Sequence, residues 1–277
     1  MKEENGYFSS FDGTQLFYRS WKADAPNALF ILHGIGEHSE RYLELAESLS
    51  LLPLSIFIHD LRGHGRSEGE RVYVESFNQF IDDIYQFRAF IEAKTGPFAK
   101  PPILLGHSLG GLIAFLAALR SQKSWRALIL MSPYFAVPAC DPLLGGIARL
   151  LNLIAPKFVW NNPVKPVFLT HDSEEITRYK TDPFIQRRIT SRLAKEMFDA
   201  CSRAYAKAHE LALPLFVLAS GEDKIVSLRK TKEIFERAAS HDKMLRVFDG
   251  FYHELFHERQ RQKPISVLKE CLIKTIG

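Results

Sequence analysis

Cysteine is scarce in these 277 residues: Cys140, Cys201 and Cys271 are odd in number, far apart, and form no Cys-x-x-Cys pair. That excludes a disulfide framework and a cysteine-based zinc site, and it suits a reducing compartment. Long apolar runs are missing as well. No window approaches the roughly 18 uncharged apolar residues of a membrane span, and the opening MKEENGYFSSFDGTQLFYRSW carries acids and polar residues where a signal peptide needs an apolar stretch. The expectation is a cytoplasmic protein, peripheral at a membrane surface if it meets one. Blocks of one charge are lacking too. The 36 Lys and Arg are interspersed among 32 Asp and Glu for a net charge of +4, so no basic run exists to grip a phosphate backbone, and nucleic acid is not an expected partner. His33, His38, His59 and His64 crowd the first quarter of the chain, and none of these four stands in a His-Glu-x-x-His spacing. Histidines at the ends of strands suit structural hydrogen bonding, so neither a metal nor any other cofactor is expected.

What is present is the balance of an ordinary globular chain, 46% hydrophobic and 25% charged, enough for one large core with a small insertion. Segments 6–10 and 15–21 alternate in polarity around Asp12-Gly13, a dipeptide that favours a tight hairpin, and read as an antiparallel edge. Residues 28–33, Ala-Leu-Phe-Ile-Leu-His, form a short continuous apolar run, the pattern of a strand buried on both faces and hence of a parallel sheet. The alternation continues with a helix over 41–51, a strand over 55–59, a helix over 76–95, a strand over 102–105, a helix over 110–121 and a strand over 127–131. Strands alternating with helices predict right-handed crossovers and a mostly parallel, doubly wound α/β sheet.

After Ser132-Pro133 this rhythm lapses. It returns with a strand over 214–219, a helix over 228–239 and a strand over 243–248. The expected organisation is therefore a core of 1–133 and 211–277 with an inserted, mainly helical cap over 134–210. Within that cap Leu143, Leu144, Ile147, Leu150, Leu151 and Ile154 fall on one helical stripe. Two readings stay open: the stripe packs on the core, or it faces an acyl chain or a membrane, in which case Leu143, Ile147, Leu150 and Leu151 bind substrate.

The chemistry is announced by 102–105, Pro-Ile-Leu-Leu, followed by Gly106-His107-Ser108-Leu109-Gly110 and then by an apolar helix. This is strand, Gly-x-Ser-x-Gly, helix, the setting of a nucleophile elbow. A serine hydroxyl is a weak nucleophile at neutral pH and needs a base backed by a carboxylate. Both follow in the order Ser, Asp, His. Asp223 lies in the turn Gly221-Glu222-Asp223 after a late strand, with Glu222 and Asp249 as rivals; His253 follows the last strand, with His257 as its competitor. The loop 33–38, His-Gly-Ile-Gly-Glu-His, leaves its strand at the same rim, and the amides of Ile35 and Leu109 are the expected oxyanion hole.

At HGIGEHSERY (33–42), DLRGHGRS (60–67), GHSLGG (106–111), GEDKIV (221–226) and YHELFHE (252–258) the chain resembles the monoacylglycerol lipase and lysophospholipase branch of the α/β-hydrolases. The similarity spans nearly the whole chain, and TDPF at 181–184 resembles a segment of such caps. It implies an eight-stranded α/β-hydrolase sheet with a cap, Ser108, Asp223 and His253 as triad, and Ile35 and Leu109 at the oxyanion hole. Ile35 departs from the small residue common at that place, which narrows the mouth of the pocket. The implied activity is hydrolysis of a single-acyl-chain lipid ester through an acyl-serine. A shorter-chain carboxylesterase, a thioesterase or a serine peptidase of the same fold stays open, as does a ligand-binding protein on that scaffold, although a complete triad argues against the last.

Overall fold

The continuous apolar runs become the middle strands of one sheet. The computed structural model describes residues 2–137, 142–161 and 164–277. Its strands are β1 (Lys2–Ser9), β2 (Gln15–Lys22), β3 (Asn27–Leu32), β4 (Leu54–His59), β5 (Ile103–His107), β6 (Ala127–Met131), β7 (Val159–Asn161), β8 (Arg188–Thr190), β9 (Leu215–Ser220) and β10 (Lys243–Phe248). The helices are α1 (Leu43–Ser48), α2 (Asn78–Thr95), α3 (Leu109–Arg120), α4 (Pro142–Ile154), α5 (Ser173–Thr181), α6 (Ser191–Lys207), α7 (Leu228–Arg237) and α8 (Gln262–Ile276). Eight strands pair in the order β1-β2-β4-β3-β5-β6-β9-β10. Only the β1–β2 and β2–β4 pairs are antiparallel, so this is the mostly parallel α/β-hydrolase sheet that the motifs implied.

Burial on both faces explains why β3 to β6 and β9 read as unbroken apolar runs. Ala28, Phe30 and Leu32 point into one cluster, with Phe80, Ile84 and Phe87 of α2 and much of α3. Leu29 and Ile31, one residue out of phase, point into the other, with Leu45 of α1 and Leu268 and Leu272 of α8. Each of the Leu, Ile and Phe side chains contributes on the order of 1.5–3 kcal/mol by leaving water. The helix expected over 41–51 is shorter than its pattern: a 3-10 turn covers Ser39–Tyr42, and α1 ends at Ser48. Pro53, which disfavours helix in the residue before it, closes off any continuation.

Between β6 and β9 the chain makes its excursion: α4, then β7 and β8 as a separate antiparallel ribbon, with α5 between them. Helix α6 is different in kind. Its Leu193, Met197, Ala200 and Ala204 are buried in the same cluster as α2 and α3, and Glu196 accepts a hydrogen bond from the Phe77 amide at 2.8 Å. We therefore propose that the inserted cap ends near Thr190 rather than at 210, with α6 a helix of the core. Cys140 lies outside the described residues, and so do the side chains of Leu143, Leu144 and Ile147. Leu150 is exposed and Leu151 half-buried. Among the described residues no helix is long and apolar enough to cross a membrane.

The sheet sets the place of the chemistry. Strand β3 connects onward to β4 on one side and β5 to β6 on the other, so a crevice opens where the winding reverses, at the carboxyl ends of the strands. The register aligns those ends: Leu32 with Gly106, His107 with Met131, Met131 with Leu218 and Phe248 with Ser220. The loops leaving this edge carry Ile35, Ser108, Asp223 and His253.

Candidate active site

Ser108 occupies the one residue between β5 and α3, at φ 50° and ψ −117°. Side chains rarely adopt this conformation, which costs about 1–3 kcal/mol. Hydrogen bonds on both sides hold it there. Its N–H donates to Met131 O at 3.0 Å, and its carbonyl accepts from the amides of Gly111, Leu112 and Tyr134 at 3.0, 3.2 and 2.9 Å. The flanking glycines are sterically required. A Cβ on Gly106 would sit 2.2 Å from Gly110 O, and one on Gly110 would sit 2.1 Å from Leu32 O. The start of α3 is thus pressed against the end of β3, which brings Leu109 beside the loop that carries Ile35. Gly34 in that loop is close to the serine, since a Cβ added there would lie 3.2 Å from Ser108 Cβ. The N-terminal turn of α3 also presents the positive end of its dipole to this spot.

Asp223 and His253 are brought together: His253 Nδ1 donates to Asp223 Oδ2 at 2.8 Å, with side-chain exposures of 3% and 2%. The other carboxylate oxygen accepts from the amides of Ile225 and Val226 at 2.8 and 2.9 Å. Those bonds fix the carboxylate plane, and the carboxylate fixes the imidazole with Nε2 pointing away. The rivals lie elsewhere. Glu222 and Asp249 are exposed, and His257 sits in a 3-10 turn with Nε2 on Arg41 O at 3.0 Å.

Burial opposes ionisation of both members of the pair, and each partner favours the charged form of the other. Burial raises the Asp223 pKa, but the charge and hydrogen bond of His253 and the two amides outweigh it, so the net direction is down. For His253, burial lowers the pKa, while Asp223, and beyond it Glu254 and Glu37, raise it above the ordinary 6.5. A general base works only when neutral. Ester turnover should therefore fall as the pH drops through a value above 6.5, and a kcat/KM profile whose acid limb lies below 6.5 would contradict this electrostatic reading.

A second charged group behind the histidine was not anticipated. His107 stands 3.0 Å from Glu37, both nearly sealed from solvent, and its ring centroid is 5.0 Å from that of His253. Arg41 bonds Glu254 at 2.6 Å. The spacing of Glu37 and Arg41, four residues apart, hints at a local pair; their partners, 70 and more than 200 residues away, have no signal in the sequence. His33 donates from Nδ1 to Gly34 O and accepts the Leu61 amide at Nε2, both at 2.8 Å, so it ties two strand ends together as a neutral ring. Burial pushes His59 and His64 down to about 3. Among the described residues no group of three or more His, Cys, Asp or Glu could hold a metal ion.

The comparisons with known proteins meet this geometry. The family model described as serine aminopeptidase, S33, matches residues 23–260. The chain is 36% identical over 252 residues to human monoglyceride lipase, covering 89% of this chain and 82% of the relative. It is 31% identical to the phospholipase YtpA of Bacillus subtilis, covering 88% and 94%. A crystal structure of Paleococcus ferrophilus monoacylglycerol lipase superposes with a TM-score of 0.86 at 27% identity, covering 94% of this chain and 99% of that one. The chain thus belongs to the serine aminopeptidase S33 family of α/β-hydrolases and is a serine hydrolase of the monoacylglycerol lipase type.

Proposed function

We propose that this protein hydrolyses single-acyl-chain lipid esters, monoacylglycerols or lysophospholipids, through an acyl-Ser108 intermediate. The observation that carries the reading is the strained serine at the β5–α3 elbow, on the same sheet edge as a buried Asp223–His253 pair. His253 takes the Ser108 proton as the hydroxyl attacks the ester carbonyl, and the amides of Ile35 and Leu109 receive the oxyanion. The same histidine then gives its proton to the departing alcohol and activates water to release the fatty acid. No step calls for a cofactor.

The acyl chain is assigned to the cap. Leu150 is 59% exposed, Leu153 80% and Ile154 77%, with Phe158 and Val159 exposed just beyond. Such a cluster on one helix end suits contact with lipid, either substrate or a membrane surface. Leu153 was not on the stripe read from the sequence, which was centred about one position away.

The test is a chain-length series of p-nitrophenyl esters from acetate to palmitate, with monooleoylglycerol and a lysophosphatidylcholine beside it. Preference for long single chains supports the lipid reading, and an optimum at acetate or butyrate would replace it with a short-chain esterase. In the same series the triple variant Leu150→Ser, Leu153→Ser, Ile154→Ser should lower turnover of the long esters and of monooleoylglycerol about tenfold or more while sparing butyrate. Equal losses on both would place these residues in folding rather than in lipid contact.

A further inference from the structure

The segment 164–187 touches the loops that carry Ile35, Asp223 and His253. At its near end Leu169 O accepts the Glu254 amide at 2.8 Å, and Thr170 Oγ1 donates to His257 O at 2.8 Å. His171 donates from Nδ1 to the buried Glu258 at 2.8 Å and stacks on Tyr252, ring centroids 3.7 Å apart. Glu258 in turn accepts the Tyr252 amide at 2.9 Å. The residues on both sides of His253 are thus tied to this segment. At its far end His38, only 2% exposed, donates from Nε2 to Asp182 at 2.8 Å, and the Gln186 amide donates to Gly36 O at 2.9 Å. The approach is so close that a Cβ on Gly36, which has φ +77°, would lie 2.4 Å from Gln186 O. This end grips the loop that presents the Ile35 amide. Between the ends, Leu169, Tyr179 and Ile185 form a small apolar cluster of their own, and Ile225 of the Asp223 turn packs on it.

We infer that α5 and its flanks are a strut that fixes the oxyanion loop relative to the His253 loop, with Asp182 and Glu258 as its positioning residues. The inference rests on the ester-hydrolase reading above. The sheet edge holds each loop at its root, and Arg41 joins the 3-10 turn at Ser39–Tyr42 to Glu254 and His257, but neither of those bonds involves Gly34, Ile35 or Gly36, and loop tips are otherwise free to move. An oxyanion donor must lie about 2.7–3.1 Å from an oxygen that exists only in the tetrahedral state, and a displacement of about 1 Å can cost about 10²-fold. A link with partly buried hydrogen bonds at both ends keeps the two loops in register. The arrangement also explains why the TDPF segment, remote in sequence from the triad, is placed at Gly36 and His38.

The experiment compares wild type with Asp182→Ala, Asp182→Asn and Thr170→Val on p-nitrophenyl butyrate, with active sites counted by fluorophosphonate titration. Asp182→Ala should lower kcat per titrated site by about 30-fold with KM within about twofold, and should slow phosphonylation by a similar factor. Asp182→Asn can keep the Phe184 amide on its oxygen and still bond His38 through its NH2, because the otherwise unpartnered Nδ1 of that ring can carry the proton while Nε2 accepts, and it should recover to within about threefold. Thr170→Val, isosteric and so expected to fold even if the alanine variant does not, should lower kcat by about fivefold through the other end. A purely structural role would reduce the number of titratable sites and the unfolding temperature but leave kcat per site unchanged in all three; that result overturns the strut. Ser108→Ala separates the two claims, since wild-type-like turnover in that variant would defeat the hydrolase reading, whereas unaltered kcat in Asp182→Ala and Thr170→Val defeats the strut alone.

Discussion

Ser108→Ala is expected to lower ester turnover by about 10⁵-fold or more while the protein keeps its fold and its affinity for substrate. Alanine loses only the Oγ. The backbone at 108 stays in the same strained conformation, held by the Met131 carbonyl and by the amides of Gly111, Leu112 and Tyr134, so the structural cost is small and the chemical cost large. What survives should be the modest rate that the oxyanion amides and the histidine can still support with water as nucleophile. Turnover within about tenfold of wild type would mean that another group attacks the ester and that the elbow serves some other purpose.

Asp223→Asn should cost about 10⁴-fold, nearly as much, although it replaces one oxygen by a nitrogen. The carboxylate accepts three hydrogen bonds, from Ile225, Val226 and His253. An amide can keep the two backbone bonds through its oxygen, but it then turns its NH2 toward His253. The imidazole would have to present a lone pair at Nδ1, which places the proton on Nε2, where the base needs to be empty. The charge that stabilises the imidazolium is lost as well. Glu222→Gln should stay within about threefold of wild type, because Glu222 is exposed to solvent. The reverse ranking in kcat/KM would overturn the assignment of the orienting carboxylate.

These two residues also mark where the sequence is legible. The elbow can be read because its requirements are local: β5, one strained residue and α3 adjoin in the chain, and the glycines at 106 and 110 answer contacts that any such turn must make. Strands β3 to β6 and β9 are legible for a similar reason, burial on both faces leaving an unbroken apolar signature. The choice between Asp223 and Glu222 is not local. Both lie after the same strand, and only the turn that points Asp223 Oδ1 at the Ile225 and Val226 amides leaves its other oxygen facing His253. The cap boundary proposed near Thr190 has no signal in the sequence, because the apolar stripe of α6 has the same period whether it packs on a cap or on α3. Glu37 with His107, Asp182 with His38, and Glu258 with His171 are pairs of residues distant in the chain, and no periodicity connects them. The ribbon of β7 and β8, three residues a strand and partly exposed, is too short to show alternation.

The central claim is the acyl-Ser108 intermediate, and it can be observed directly. Wild-type protein mixed with a long-chain p-nitrophenyl ester and quenched in acid within milliseconds should yield, after proteolysis and mass spectrometry, the peptide spanning Ser108 with an added acyl group. The adduct should decay at the steady-state rate and be absent from Ser108→Ala. Acyl groups on a different residue, or full turnover with no covalent adduct at any time under conditions where deacylation limits the rate, would contradict the account.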